Sequence, residues 1–98
     1  MRTTTARIAV EAQDPGKLIG RLAKHWAHKL KVESSPTHAR IEFGASRLHL
    51  QASERAVAET LEVDAADDER RLQEVVSSHL ERMSIGEELK IEWRSPQG

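Results

Sequence analysis

Three of the five histidines, His25, His28 and His79, are the side chains best suited to chemistry near neutral pH. An imidazole can carry a proton on or off in that range, or ligate zinc or iron. His25 and His28 stand three residues apart, so a helix turns them to neighbouring parts of one side. His79 falls on the apolar stripe of a second helical segment. Side-by-side packing of the two helices would bring His25 and His79 together, with His28 further into solvent. Glu74 and Glu81 are nearby carboxylates that could add ligands. The spacing lacks the HExxH frame that makes a helical histidine pair specific for metal. A plainer reading is therefore preferred. In it His79 is a core-edge residue bonded to backbone or to a carboxylate such as Glu33, and His25 and His28 are surface residues.

Other reaction chemistries lack a motif. With no cysteine, thiolate metal sites, disulfides and thiol nucleophiles are excluded. Ser34, Ser35, Ser77 and Ser78 have no nucleophile-elbow context, Asp67-Asp68 reads as helix capping, and no glycine-rich phosphate loop exists. No catalytic residue can be named, and non-enzymatic function is the preferred expectation.

The histidines must be positioned by two helices. Pro15 to Lys31 (PGKLIGRLAKHWAHKLK) carries Leu18, Ile19, Leu22, Ala23, Trp26 and Leu30 at three- and four-residue steps, the period of a helix with one buried stripe. Asp14 is the expected N-cap and Pro15 suits the first turn, where its missing N–H is no loss. Lys17, Arg21, Lys24, Lys29 and Lys31 lie off the stripe, and no acid interrupts the stretch. Lys17, Arg21 and Lys24 form a basic face that could take phosphates, RNA or an acidic partner, although a solvated face is the simpler expectation. Gly20 weakens this helix by roughly 1 kcal/mol relative to alanine, and a close approach to the sheet would explain it. The second helix is expected over Ala65 to Met83, capped by Asp64 or Asp67, with Leu72, Val75, Val76, His79, Leu80 and Met83 as its stripe.

The rest alternates. Residues 4–12 point Ala6, Ile8, Val10 and Ala12 one way; Ile41 and Phe43, then Leu48 and Leu50, alternate on either side of Gly44-Ala45 as in a hairpin. Val32 to Ser34 is a short strand. Residues 56–63 give a strand with Val57, Leu61 and Val63 inward, which Glu59 interrupts unless it lies at an edge. Leu89, Ile91 and Trp93 mark a last strand. The order is β-α-β-β-β-β-α-β. It predicts an α+β fold with a mainly antiparallel sheet of about five or six strands and both helices on one face. Trp26 and Trp93 are assigned to the core. The outer sheet face shows Arg7, Glu11, Arg40, Glu42, Arg47, His49, Lys90, Glu92 and Arg94, both signs mixed and no aromatic. That disfavours single-stranded nucleic acid, which usually stacks on aromatic side chains.

At 98 residues the chain is one domain, 1–98, with 1–3 and 95–98 expected to fray. No stretch suits a signal peptide or a membrane span, so a soluble, cytoplasmic protein is expected. The net charge of −1 is uneven: Glu62 to Glu74, with six acids and two arginines, opposes the basic helix. The two segments either complement each other within the fold or form opposite poles.

Read together, KHWAHKLKVE (Lys24 to Glu33), RIEFG (Arg40 to Gly44), Arg47 to Gln51, LQEVVSSHLERM (Leu72 to Met83) and EELKIEW (Glu87 to Trp93) resemble the bacterial family called domain of unknown function 2218. The resemblance spans nearly the whole chain in order, with Met83 where an aromatic residue is expected. It implies a small stand-alone αβ domain in which His25, His28, Lys29 and His79 are characteristic positions. It further implies an iron-uptake context, with a siderophore-interacting flavin reductase as partner. It implies no reaction; an aldolase would need a Schiff-base lysine in a deep pocket or a clear metal triad. Three functions are therefore carried forward. The first is an accessory or binding domain in iron–siderophore handling that needs no cofactor. The second is a zinc- or iron-binding protein or enzyme using His25, His28 and His79. The third is a structural or homodimerising module.

Overall fold

The computed structural model describes residues 2–95. Five strands and two helices follow in the order β1 (Arg2–Ala9), α1 (Pro15–Trp26), β2 (Lys31–Ser35), β3 (His38–Phe43), β4 (Ser46–Ala52), β5 (Ala56–Val63) and α2 (Glu69–Met83). All neighbours in the sheet are antiparallel, in the spatial order β1-β5-β4-β3-β2. The β3–β4 hairpin turns where expected, and Gly44 takes the positive φ of 65° that a side chain would resist.

The register sorts residues onto two faces. Inward lie Ile8 on β1, Ala39 and Ile41 on β3, Leu48 and Leu50 on β4, and Val57, Leu61 and Val63 on β5, all buried. Outward, Lys31, Glu42, Arg47 and Glu62 stand in one row and Glu33, Arg40 and His49 in the next. Arg40 bonds Glu33 at 2.9 Å, His49 meets Glu62 at 2.8 Å and Lys31 lies 3.7 Å from Glu42. The outer face is thus a lattice of alternating charge open to solvent.

Helix α1 buries Pro15, Leu18, Ile19, Leu22, Ala23 and Trp26 against the inner face. Asp14 caps it by accepting from the Gly16 and Lys17 amides, at 2.8 and 3.3 Å. The close backbone approach is at Gly16, not Gly20. A Cβ on Gly16 would sit 2.6 Å from the Pro36 carbonyl oxygen, whereas one on Gly20 would meet nothing within 4 Å. The helix ends at Trp26, five residues before the expected Lys31. A turn follows, in which the Trp26 carbonyl accepts from Lys29 and Leu30, and Lys31 then pairs with Glu42 in the sheet. Ladder pairing of Lys31 and Val32 thus takes over from helical continuation.

Helix α2 starts at Glu69 and not at Ala65. Asp68, rather than Asp64 or Asp67, caps it by accepting from the Arg71 amide at 3.1 Å. Asp67 is held elsewhere, by the Ser46 hydroxyl, and Asp64 turns back to the Ala66 amide. Val76 and Leu80 are fully buried, with Leu72, Val75 and Met83 packed at the margin. No helix among the described residues is long and apolar enough to cross a membrane.

Two expectations at the sheet's ends are modified. Ala12 is exposed, because the chain leaves the sheet after Val10. The amides of Glu11 and Ala12 instead donate to the Glu87 carboxylate, at 2.8 and 3.1 Å. These bonds, that from Glu11 foremost, hold the Glu87 carboxyl below its usual range. The last expected strand, Leu89 to Trp93, builds no ladder. This part of the chain meets β1 through a single antiparallel bridge, Thr5 with Arg94, at 2.8 and 2.7 Å. Leu89 is nevertheless buried, and Trp93 packs on the core while its indole N–H donates to Ser77 Oγ at 2.9 Å. Of the ends expected to fray, Met1 and 96–98 lie outside the described residues, and Arg2 and Thr3 pair within β1.

Candidate functional site

The last turn of α1 and the middle of α2 bring two of the three histidines together. His25 and His79 have ring centroids 5.4 Å apart with planes tilted by 48°. His79 also lies 5.0 Å from Trp26, which in turn meets Phe43 edge-on at 5.0 Å. A row therefore runs from the sheet to the surface: Phe43 on β3, buried Trp26, half-buried His79, exposed His25. Buried aromatic contacts of this kind fix ring positions and add about 0.5–1.5 kcal/mol per pair beyond area burial.

The expected backbone partner of His79 is the Val75 carbonyl, 2.7 Å from Nδ1. A carbonyl oxygen only accepts, so Nδ1 carries the proton and donates. Nε2 of the neutral ring then keeps its lone pair. His28 is exposed and does not complete a three-histidine cluster. Among the described residues, no group of three His, Asp or Glu side chains is placed to hold an ion.

The basic face divides. Arg21 is not available on it: Nε donates to the Met83 carbonyl at 2.9 Å and a terminal nitrogen to Gln13 Oε1 at 2.7 Å, which ties α1 to the end of α2. Lys17 and Lys24 are exposed. Neither lies within ion-pair distance of a carboxylate among the described residues, and no ion pair there joins the acidic 62–74 stretch to α1. The acidic stretch is engaged locally, through Asp67 with Ser46, Asp68 as a cap, Glu69 with Arg2 and Glu62 with His49. At the exit of α1, Lys29, Leu30, Lys31, Glu42 and Gly44 line an open groove of about 470 Å³.

Glu59 is the group that sequence reasoning misplaced. Its strand is flanked on both sides, by β1 and β4, so it has no edge to occupy. Glu59 points inward, paired across the strands with Ala6 and Leu50, and is 1% exposed. Neither carboxylate oxygen has a hydrogen-bond partner among the described residues. Burial pushes the carboxyl up from 4.5 to about 8, so it is mainly protonated at neutral pH. The signal was present in the sequence as an acid at an inward position of an otherwise regular alternation.

The sequence pattern of a family described as an uncharacterized protein conserved in bacteria (DUF2218) matches residues 5–94. The chain belongs to that family. This DUF2218 chain is also similar to a solved structure, the NMR structure of PA4090 from Pseudomonas aeruginosa, at 35% identity and a TM-score of 0.77 over 96% of each chain. Among curated proteins none matches the chain. The DUF2218 match covers both helices and all five strands almost to their ends, so it includes the His25–His79 contact, the Lys17–Lys24 face and Glu59.

Proposed function

We propose that this chain is a small accessory binding domain that docks an acidic partner protein on the exposed face of α1. The carrying observation is Gly20, exposed in mid-helix between Lys17 and Lys24 with open space where a Cβ would stand. A mid-helix glycine costs about 1 kcal/mol relative to alanine, and nothing among the described residues requires its small size. Lys17, Gly20 and Lys24 share one side of the helix, at steps of three and four. A partner surface can approach the backbone over Gly20 while its carboxylates meet the two flanking ammonium groups. Charges so placed raise the association rate and fix orientation more than they add raw affinity. Lys29, at the mouth of the adjoining groove, extends the same potential.

The finer reading places the domain in iron–siderophore handling, with a siderophore-interacting flavin reductase as the partner. It rests on the iron-uptake context that the family resemblance implies, together with the charge of this face. Calorimetric titration of the protein with the reductase from the same genome tests it. Wild type should bind with an affinity that falls as salt rises, and the double reversal Lys17→Glu with Lys24→Glu should weaken binding at least ~10-fold. Equal affinity of the two proteins removes this face from the function.

A further inference from the structure

We propose that His25 and His79 form a two-imidazole site for a divalent transition-metal ion, with the remaining coordination positions filled by donors from outside this chain. This site uses residues separate from the Lys17–Lys24 face, so it stands or falls without it.

The two rings come from different helices, α1 and α2. With metal–nitrogen bonds of about 2.0–2.1 Å, and ring centres about 1.2 Å beyond the nitrogens, two imidazoles on a tetrahedral ion hold their centroids about 5 Å apart. The observed separation is 5.4 Å. The ring separation therefore fits a shared ion, provided the exposed His25 ring turns a nitrogen toward the His79 Nε2 side.

His79 is also prepared as a ligand. Its Nδ1–H donates to the Val75 carbonyl, and the Trp26 ring lies 5.0 Å away, tilted by 35°. A hydrogen bond from the non-ligating nitrogen fixes tautomer and orientation, which is the usual outer arrangement of a histidine that ligates through Nε2. His25 is exposed, so it can turn about its side-chain torsions to complete the pair. No third protein ligand stands nearby, since no three-residue group is formed among the described residues. Two neutral nitrogens leave an ion such as Zn²⁺ with open positions, which suits an ion that arrives with oxygen donors, water or a chelating anion.

The test is a titration of untagged protein with zinc chloride at pH 7.5, following the ring nitrogens of all five histidines by NMR. The ¹⁵N signals of His25 and His79 should move together and saturate at one equivalent, with His28, His38 and His49 unmoved. His25→Ala changes an exposed residue and should lower zinc affinity at least ~10-fold, and so should His79→Ala where it folds. His28→Ala and Lys17→Glu should bind as wild type. Zinc binding that survives His25→Ala, or that depends equally on His28, overturns the two-histidine site.

Discussion

Replacing Glu59 with leucine should stabilise the protein at neutral pH and flatten its pH dependence. The carboxyl is 1% exposed, faces Ala6 and Leu50 across the strands, and has no hydrogen-bond partner among the described residues. Its ionisation is raised from 4.5 to about 8 by burial. Between those values the folded protein holds a proton that the unfolded chain releases. The associated stability is complete below 4.5, declines as pH rises, and is lost once pH passes about 8. Each pH unit in that window removes about 1.4 kcal/mol. Between pH 5.5 and 8 the wild type should therefore lose about 3 kcal/mol through this group, a large fraction of the 5–15 kcal/mol typical of a domain. Leucine has a similar volume, no charge and no polar atom to satisfy. Urea denaturation at pH 5.5, 7 and 8.5, read by fluorescence of Trp26 and Trp93, measures the difference. The gap between Glu59→Leu and wild type should widen with pH by about 3 kcal/mol over that range. A constant gap, or a Glu59→Leu protein less stable than wild type by several kcal/mol at pH 8.5, would refute the assignment of Glu59 as an unpaired core acid.

Two glycines in one helix should respond oppositely. Gly16→Ala drives a Cβ to 2.6 Å from the Pro36 carbonyl and should lower stability by about 1–3 kcal/mol in the same denaturation assay. Gly20→Ala meets nothing and should raise stability by up to about 1 kcal/mol, while weakening any partner that approaches over that position. Arg21→Ala removes the bonds to Met83 O and Gln13 Oε1; the loss should be about 1–3 kcal/mol, with faster amide hydrogen exchange in the last turn of α2.

The fold was readable wherever one residue type decided one face. Ile41, Phe43, Leu48 and Leu50 alternate about a glycine turn, and the hairpin follows from them alone. The end of α1 was not readable, because Lys29 to Lys31 are good helix formers and only pairing with β3 draws the chain into the sheet. The α2 cap was ambiguous among neighbouring aspartates until Ser46, distant in sequence, took Asp67. The last strand failed for a similar reason: its register is set by Glu87 gripping two amides and by one bridge at Arg94. At the site, the helical period put His25 near one stripe and His79 on the other, so their meeting was legible once side-by-side packing was assumed. The loss of Arg21 to a structural role was not, since it depends on where α2 ends. Glu59 was noticed as an exception, but was assigned to an edge because an unpaired acid in a core is rare.

The most direct test of the proposed docking face is an amide chemical-shift map of α1 during titration with the proposed partner, a siderophore-interacting flavin reductase. Shifts and line broadening concentrated at Lys17, Gly20 and Lys24, and suppressed by added salt, are the predicted result. Perturbations confined to the outer sheet face around Arg40, His49 and Glu62, or no perturbation at saturating reductase, would contradict it.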